Sequence, residues 1–306
     1  MPFRRVIIVA DIEGSSGCWN YAASAFLRRE WALACEAMTR DVAAVVQALF
    51  DAGVEDILVK DFHRTGYNLL AERIHPQARI ESGYRVGPVP ALGDPGRAEA
   101  VFFLGLHAAS GTRGFLPHTM TSRLSDVRVN GRSLPEVALF AALLAPYGIR
   151  PVFFSGCPDA CRQAAAEIPG ITTYPIHKAN GPQYVDVCAW RRDLACKSVE
   201  ALSNETTRPV TGNGPFDVRV VFREGADAAR KAARRWGLAR QGRTVRFTVV
   251  DLRELFMVLS RICYLVPALQ PVLPLALGLQ NAKGLLGLTW VRRQLRLKHN
   301  RPGRSC

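Results

Sequence analysis

Residues 5–17 read RVIIVADIEGSSG. An apolar, largely β-branched run ends abruptly in two carboxylates one residue apart, and then in glycine. A short, continuous apolar run bounded by turn residues is the pattern of a strand covered on both faces. In a sheet of such parallel strands, ligands gather beyond the carboxyl ends. Asp11 and Glu13 stand at that end of the first strand. Two carboxylates held this close repel each other unless a cation or a shared proton intervenes. The competing reading is that they cap the next helix or bind backbone amides.

The pattern around this stretch alternates. EWALACEAMTRDVAAVVQALFDAG (30–53) has helical periodicity and a stop signal in Gly53. EDILVK (55–60), AVFFLGLH (100–107) and RPVFFSG (150–156) read as strands, and DVRVNGRSLPEVALFAALLAPYG (126–148) as a strand, an Asn-Gly turn and a helix. DACRQAAAEIPG is a short helix and ITTYPI a further strand. Strands alternating with helices predict an α/β fold, a mostly parallel layered sheet with helices on both faces, over residues 1–205. SNETTRPVTGNGPF (203–216) is rich in turn residues and reads as a linker. DVRVVF, GADAARKAARRWG, RTVRFTVV and DLRELFMVLSRICYLV then predict a smaller β-α-β-α subdomain over 206–265. Residues 266–306 form an extension, apolar and then basic.

Of the 306 residues, 48% are hydrophobic and 22% charged, which places the chain among folded globular proteins and sets general disorder aside. The net charge of +14 is unevenly spread: no acid follows Glu254, while eight Lys and Arg do. The basicity belongs to the C-terminal end and is no footprint for nucleic acid. The N-terminal apolar run stops at Asp11, too short for a signal-peptide core. The eight cysteines are therefore expected as reduced thiols in a cytoplasmic protein. Cys157 and Cys161 could share a helix face, but no second pair completes a metal site. ICYLVPALQPVLPLALGLQ (262–280) nearly reaches spanning length. Pro267, Pro271, Pro274 and Gln270 argue against a transmembrane helix and are expected to interrupt any long one. Docking on a sister subunit or on an anionic membrane suits it better, since Arg292, Arg293, Arg296, Lys298, Arg301 and Arg304 follow.

Sorting Asp, Glu and His by position relative to strand ends gives a compact set. Asp61 and His63 follow ILVK, His107 follows VFFLG, and His118 lies in the loop GTRGFLPHTM. Taken alone, His63 and His107 read as hydrogen-bonded loop histidines. His75 reads as structural, His177 is ambiguous, and His299 reads as solvated. Glu136 forms an S-x-x-E capping box with Ser133, yet its helix is nearly all apolar, and a carboxylate there needs a strong partner. Capping and metal ligation both stay open. Mixed carboxylate and imidazole donors suit zinc or a similar divalent ion. Five donors exceed the need of one four-coordinate zinc that keeps a water, so two ions sharing a carboxylate is the economical account.

VADIEGSSG, KDFHRTGYNLL, FLGLHAASGTRGFLPHTM and VNGRSLPEVAL occur in the order and near the spacing found in the zinc-dependent D-aminopeptidase family, which this chain resembles over about residues 5–265. The resemblance implies metal ligands at Asp11, Glu13, His63, His107 and Glu136, with Asp11 bridging two zinc ions, and a catalytic histidine at His118. It implies a hydrolase that removes an N-terminal D-residue from short peptides, assembled as a ring-shaped decamer. The chain departs from the family pattern at Val9, where a small polar residue is usual, at Phe62, where serine is common, and in GCPDA (156–160). A dinuclear amidohydrolase or esterase acting on a specialised metabolite is the second reading. A non-catalytic scaffold using the C-terminal segment is the third.

Overall fold

A computed structural model describes residues 3–212 and 214–299. The chain runs β1 (Arg5–Ala10), α1 (Tyr21–Ser24), α2 (Arg29–Asp51), β2 (Asp56–Asp61), β3 (Arg79–Glu81), β4 (Ala100–Leu106), β5 (Leu124–Val129), β6 (Arg132–Ser133), α3 (Glu136–Leu144), β7 (Arg150–Gly156), α4 (Pro158–Glu167), β8 (Thr172–Pro175) and α5 (Val187–Ala201). It continues through β9 (Phe216–Phe222), α6 (Ala226–Trp236), β10 (Ala239–Gln241), β11 (Thr244–Val249), α7 (Leu252–Tyr264) and α8 (Leu273–His299). Six strands form one sheet in the order β3-β2-β1-β4-β7-β8, with every pairing parallel. The expected α/β layering, with helices on both faces, is what the chain builds.

The reason lies in the stretch that opens the sequence. Alternate side chains of a strand point to opposite faces. Val6, Ile8 and Ala10 pack into one core with α2, α5 and α8, while Ile7 and Val9 pack into a second with α3, α4 and α7. Both faces are covered, so neither half of the alternation can be polar. Each such residue taken fully from water stabilises the fold by about 1.5–3 kcal/mol. α2 stops where expected: Gly53 takes the left-handed conformation (φ 92°) that few other residues tolerate.

A second sheet is antiparallel, in the order β10-β11-β9-β5-β6. Three of its strands come from residues 216–249, with α6 and α7 beside them. The other two, β5 and β6, come from the first 205 residues. Val218, Val220 and Phe222 share one hydrophobic core with Val127 and Phe140, so this sheet is packed onto the parallel one.

α8 corrects one expectation. Pro267 and Pro271 do interrupt the segment, standing between the end of α7 at Tyr264 and the start of α8 at Leu273, but Pro274 does not, because it is the second residue of α8, where no intrahelical N–H is needed. Leu288, Val291 and Leu295 are buried, and Trp290 stacks on Trp31 with ring centroids 6.1 Å apart. No helix among the described residues is long and apolar enough to cross a membrane. Arg301 and Arg304 lie outside the described residues.

Candidate metal centre

The register of the parallel sheet sets the site. Ala10 pairs with Asp61 of β2 and with Leu104 of β4, so three strands end level. Asp11, His63 and His107 leave from that common edge. Two glycines let the flanking loops close up. A Cβ on Gly105 (φ 77°) would lie 2.2 Å from Asp11 O, and one on Gly14 would lie 2.6 Å from Gly105 and Leu106 backbone atoms. In their absence the backbones meet directly, with Gly14 N donating to Gly105 O at 2.6 Å and Asp11 N to Leu104 O at 2.8 Å. The glycine of D-x-E-G and the one before His107 thus fix how near the two ligand loops stand.

The five carboxylate and imidazole residues read as ligands converge, and all are buried: Asp11 and Glu13 are 3% exposed, His107 and Glu136 5%, and His63 6%. Donor atoms of Asp11, Glu13 and His63 lie within 4.8 Å of one another, and so do those of His107, His118 and Glu136. Each histidine has one ring nitrogen tied to a backbone carbonyl. His63 Nε2 donates to Ser24 O at 2.9 Å, His107 Nδ1 to Ala108 O at 3.1 Å, and His118 Nδ1 to Leu116 O at 2.9 Å. A ring anchored in this way presents its other nitrogen as a lone pair of fixed direction. His63 Nδ1 faces Asp11 Oδ1 at 3.1 Å and Glu13 Oε2 at 2.8 Å. His107 Nε2 faces Asp11 Oδ2 at 3.7 Å and Glu136 Oε2 at 3.6 Å. The two oxygens of Asp11 therefore point to different histidines.

The electrostatics favour a cation. Burial and the Glu13 charge push the Asp11 carboxyl well above its ordinary range. Burial alone would lower the His63 imidazole, but Glu13 and Asp11 outweigh it and push it up to about 10. Burial likewise opposes ionisation of Glu13, yet the facing His63 holds it well below the usual range. Glu13 Oε2 accepts no well-aimed hydrogen bond although it is buried. Donor atoms of a tetrahedral zinc site stand about 3.3 Å apart, and the observed 2.8–3.7 Å brackets that spacing. The residues present fit a divalent metal.

Glu136 settles one open alternative. It is the first residue of α3, and the position before it is Pro135, with no side-chain cap; Ser133 belongs to β6. No capping box forms. Glu136 Oε1 instead accepts from Met120 N at 2.6 Å, which leaves Oε2 toward His107. His118 stacks on His107 with ring centroids 3.7 Å apart. Asp61, although at the same edge, turns its carboxylate to Asn68 N (2.5 Å) and Leu69 N (2.8 Å) and clamps the loop after His63. His177 is exposed and belongs to neither cluster, and His75 packs against Phe50. Cys157 and Cys161 are buried thiols, the first accepting from Phe115 N at 3.4 Å.

Two supporting groups were not legible as site residues. Lys178, buried beside the exposed His177, donates to Glu13 O (2.8 Å), Ser15 O (2.6 Å) and Cys18 O (2.5 Å). Burial brings its ammonium down to about 8. Asp41 accepts from Ser16 N at 2.8 Å and Ser16 Oγ at 2.7 Å, and Arg191 Nε joins it at 2.9 Å. Together they hold the D-x-E-G-S-S-G loop from below.

Fold and site together define a class: layered α/β proteins with a buried carboxylate–imidazole centre at the edge of a parallel sheet. The model of the Peptidase_M55 family, described as D-aminopeptidase, matches residues 4–261, and the chain belongs to that family. A D-aminopeptidase of Bacillus subtilis (strain 168) is 29% identical over 175 residues, which are 56% of this chain and 63% of that protein. The aligned part thus spans less than two thirds of that relative's length. The solved Zn-dependent D-aminopeptidase DppA from Bacillus subtilis, described as a self-compartmentalizing protease, superposes with a TM-score of 0.76 at 24% identity. That superposition covers 84% of this chain and 96% of that one, and it supports the fold.

Proposed function

We propose that the protein is a zinc-dependent hydrolase that removes an N-terminal D-residue from short peptides. The observation that carries this is the convergence of Asp11, Glu13, His63, His107 and Glu136, with each histidine anchored through its far nitrogen. Family membership and the names of the two Bacillus subtilis relatives support it. In this reading Asp11, Glu13 and His63 hold one ion, and Asp11, His107 and Glu136 a second, with Asp11 shared. When bound, zinc polarises a carbonyl and lowers the pKa of water.

The chain's own residues supply the rest. His118 donates Nδ1–H to Leu116 O, which leaves Nε2 to hold or move a proton. Burial and the neighbouring His107 push its pKa below the ordinary value, so it stands neutral and able to act as a base. The ring stack on His107 keeps it at the centre. His118→Ala is expected to lower turnover by roughly 10²-fold or more, with zinc content by elemental analysis unchanged. Loss of zinc in that variant would make His118 a ligand and not the acid–base group.

Release of D-alanine from short peptides by the zinc-loaded protein tests the reading directly. A panel of D- and L-aminoacyl amides, peptides and esters separates it from the related amidohydrolase or esterase. A protein that holds no zinc and hydrolyses none of these would leave the scaffold reading.

The same proposal includes assembly of sister subunits, up to a ring of ten, and a cytoplasmic location that suits the seven free thiols among the described residues. A finer reading concerns α8. Leu275, Leu279, Leu286 and Leu297 are more than half exposed, at a spacing that puts them on one face, and Arg293 and Arg296 stand nearby. Such a face suits either a sister subunit or an anionic membrane. Leu279→Glu with Leu286→Glu should split the oligomer in light scattering if subunits cover this face. If lipid covers it, the variant should lose pelleting with phosphatidylserine vesicles, and the wild type's pelleting should weaken at high salt.

A further inference from the structure

α8 lies beyond residues 4–261, the part matched by the family model. Its contacts nonetheless reach the metal centre. The Asn281 side chain pairs with the backbone of Tyr84 in both directions: Oδ1 accepts from Tyr84 N at 2.9 Å, and Nδ2 donates to Tyr84 O at 2.8 Å. The approach depends on Gly83 (φ 76°), where a Cβ would lie 2.4 Å from Asn281 Oδ1. Gly83 O is in turn held by the buried Lys60 Nζ.

Tyr84 donates its phenol hydrogen to Phe62 O, and its ring stands edge-on to Phe62 with centroids 6.2 Å apart. Phe62 also meets Phe140 of α3 at 4.5 Å, the helix that Glu136 begins. Phe62 directly precedes His63, so the Phe62 carbonyl belongs to the peptide unit that leads into that imidazole. Phe62 and Tyr84 thus link the added helix to one half of the centre by an unbroken line of contacts.

We infer that Asn281 is a positioning residue for the metal centre: by fixing Tyr84 it fixes the Phe62–His63 peptide and hence the aim of His63 Nδ1. The segment beyond residue 265 is then part of the frame of the site. The inference rests on the metal reading of the centre and goes beyond it. The plainer account is that Asn281 only satisfies two backbone groups and glues α8 down. α8 has other anchors, however. Gly284 packs against Tyr67, Gly287 against Phe26 and Trp31, and Arg292 pairs with Glu72 at 2.9 Å. Loss of Asn281 should leave the helix docked.

The experiment measures zinc affinity by chelator competition on the full chain, without substrate. Asn281→Ala, Tyr84→Phe and the double variant are compared with wild type, and Arg292→Ala serves as a docking control. Outer partners of metal ligands are typically worth about 10–100-fold in affinity. Asn281→Ala and Tyr84→Phe should each weaken the tighter or looser of the two zinc steps by about tenfold. The double variant should be no worse than the worse single one, because the two act in series. Arg292→Ala should leave zinc affinity at the wild-type value. Affinities within twofold of wild type in both folded single variants overturn the positioning role, as do losses that multiply in the double variant. If Asn281→Ala does not fold, Tyr84→Phe, which removes one hydroxyl, decides alone by the same thresholds. A wild-type chain that holds no zinc overturns both the positioning role and the metal reading under it.

Discussion

Asp11→Ala should empty the centre of both ions and reduce hydrolysis to the buffer rate. Among the described residues Asp11 is the one with an oxygen toward each of the two histidines, Oδ1 at 3.1 Å from His63 Nδ1 and Oδ2 at 3.7 Å from His107 Nε2. Elemental analysis after dialysis checks the metal, and thermal unfolding with and without zinc checks the linkage. Zinc at 100 times its dissociation constant should stabilise the wild type by about 2.7 kcal/mol per bound ion and the variant not at all. The metal-free comparison has a sign of its own. The folded pKa of Asp11 is raised by burial and by Glu13, so the unfolded chain releases that proton first. The contribution of Asp11 to the stability of the metal-free wild type therefore falls as pH rises from the ordinary carboxylate range toward the raised folded value, while Glu13, held low by His63, contributes with the opposite sign. Above that window the variant should unfold no lower than the metal-free wild type. A variant that keeps one zinc per chain would mean that Asp11 does not bridge.

Lys178→Met should cost about 3 kcal/mol or more of stability, read from urea unfolding at neutral pH. The ammonium is the donor to three carbonyls in the loop that carries Glu13. A buried carbonyl that loses its partner costs about 1–3 kcal/mol. Relief from burying the charge offsets part of this loss, because Lys178 sits at about 8 through burial. Methionine keeps most of the apolar stem but removes the ammonium with its hydrogen bonds and its cation–π contacts to the Phe115 and Trp19 rings, which lie 4.7 and 5.3 Å from Nζ. Zinc affinity should fall as well, since Glu13 is no longer held from below. A loss under 1 kcal/mol would mean that water reaches the loop and replaces the lysine.

The strands of the parallel sheet were legible because burial on both faces leaves a signal that needs no partner to read. RVIIVA, AVFFLGL and RPVFFSG are each apolar along their length, and each is a central strand. Ligand candidates at the ends of those strands followed from the same reading. β3 and β10 were not read, being three-residue edge strands with exposed or half-buried side chains. The pairing of β5 with β9 was hidden because pairing is set by a partner distant in sequence. Lys178 left no trace of this kind: Ile176 is buried, His177 exposed and Lys178 buried, but β8 before them is half-buried throughout, so nothing in the pattern marks the lysine. Imidazole chemistry drew attention to His177 and away from its neighbour. The Asn281–Tyr84 pairing had no signal at all, since an asparagine in a helix looks the same whether it meets water or a backbone.

That distant pairing bears on how the protein is made. Among the described residues β5 has β6 and β9 as its sheet neighbours, and Val127 meets Val220 about 90 residues later. β6 leads directly into Leu134, Pro135 and Glu136, so the position of that carboxylate depends on a sheet completed late in synthesis. At roughly 5–20 residues per second, a nascent chain spends several seconds with Asp11, Glu13, His63 and His107 already made while the segment bearing Glu136 still lacks its β9 partner. A centre assembled in this order is complete only as the last third of the chain arrives, and a translation product that stops before β9 lacks the strand that seats Glu136.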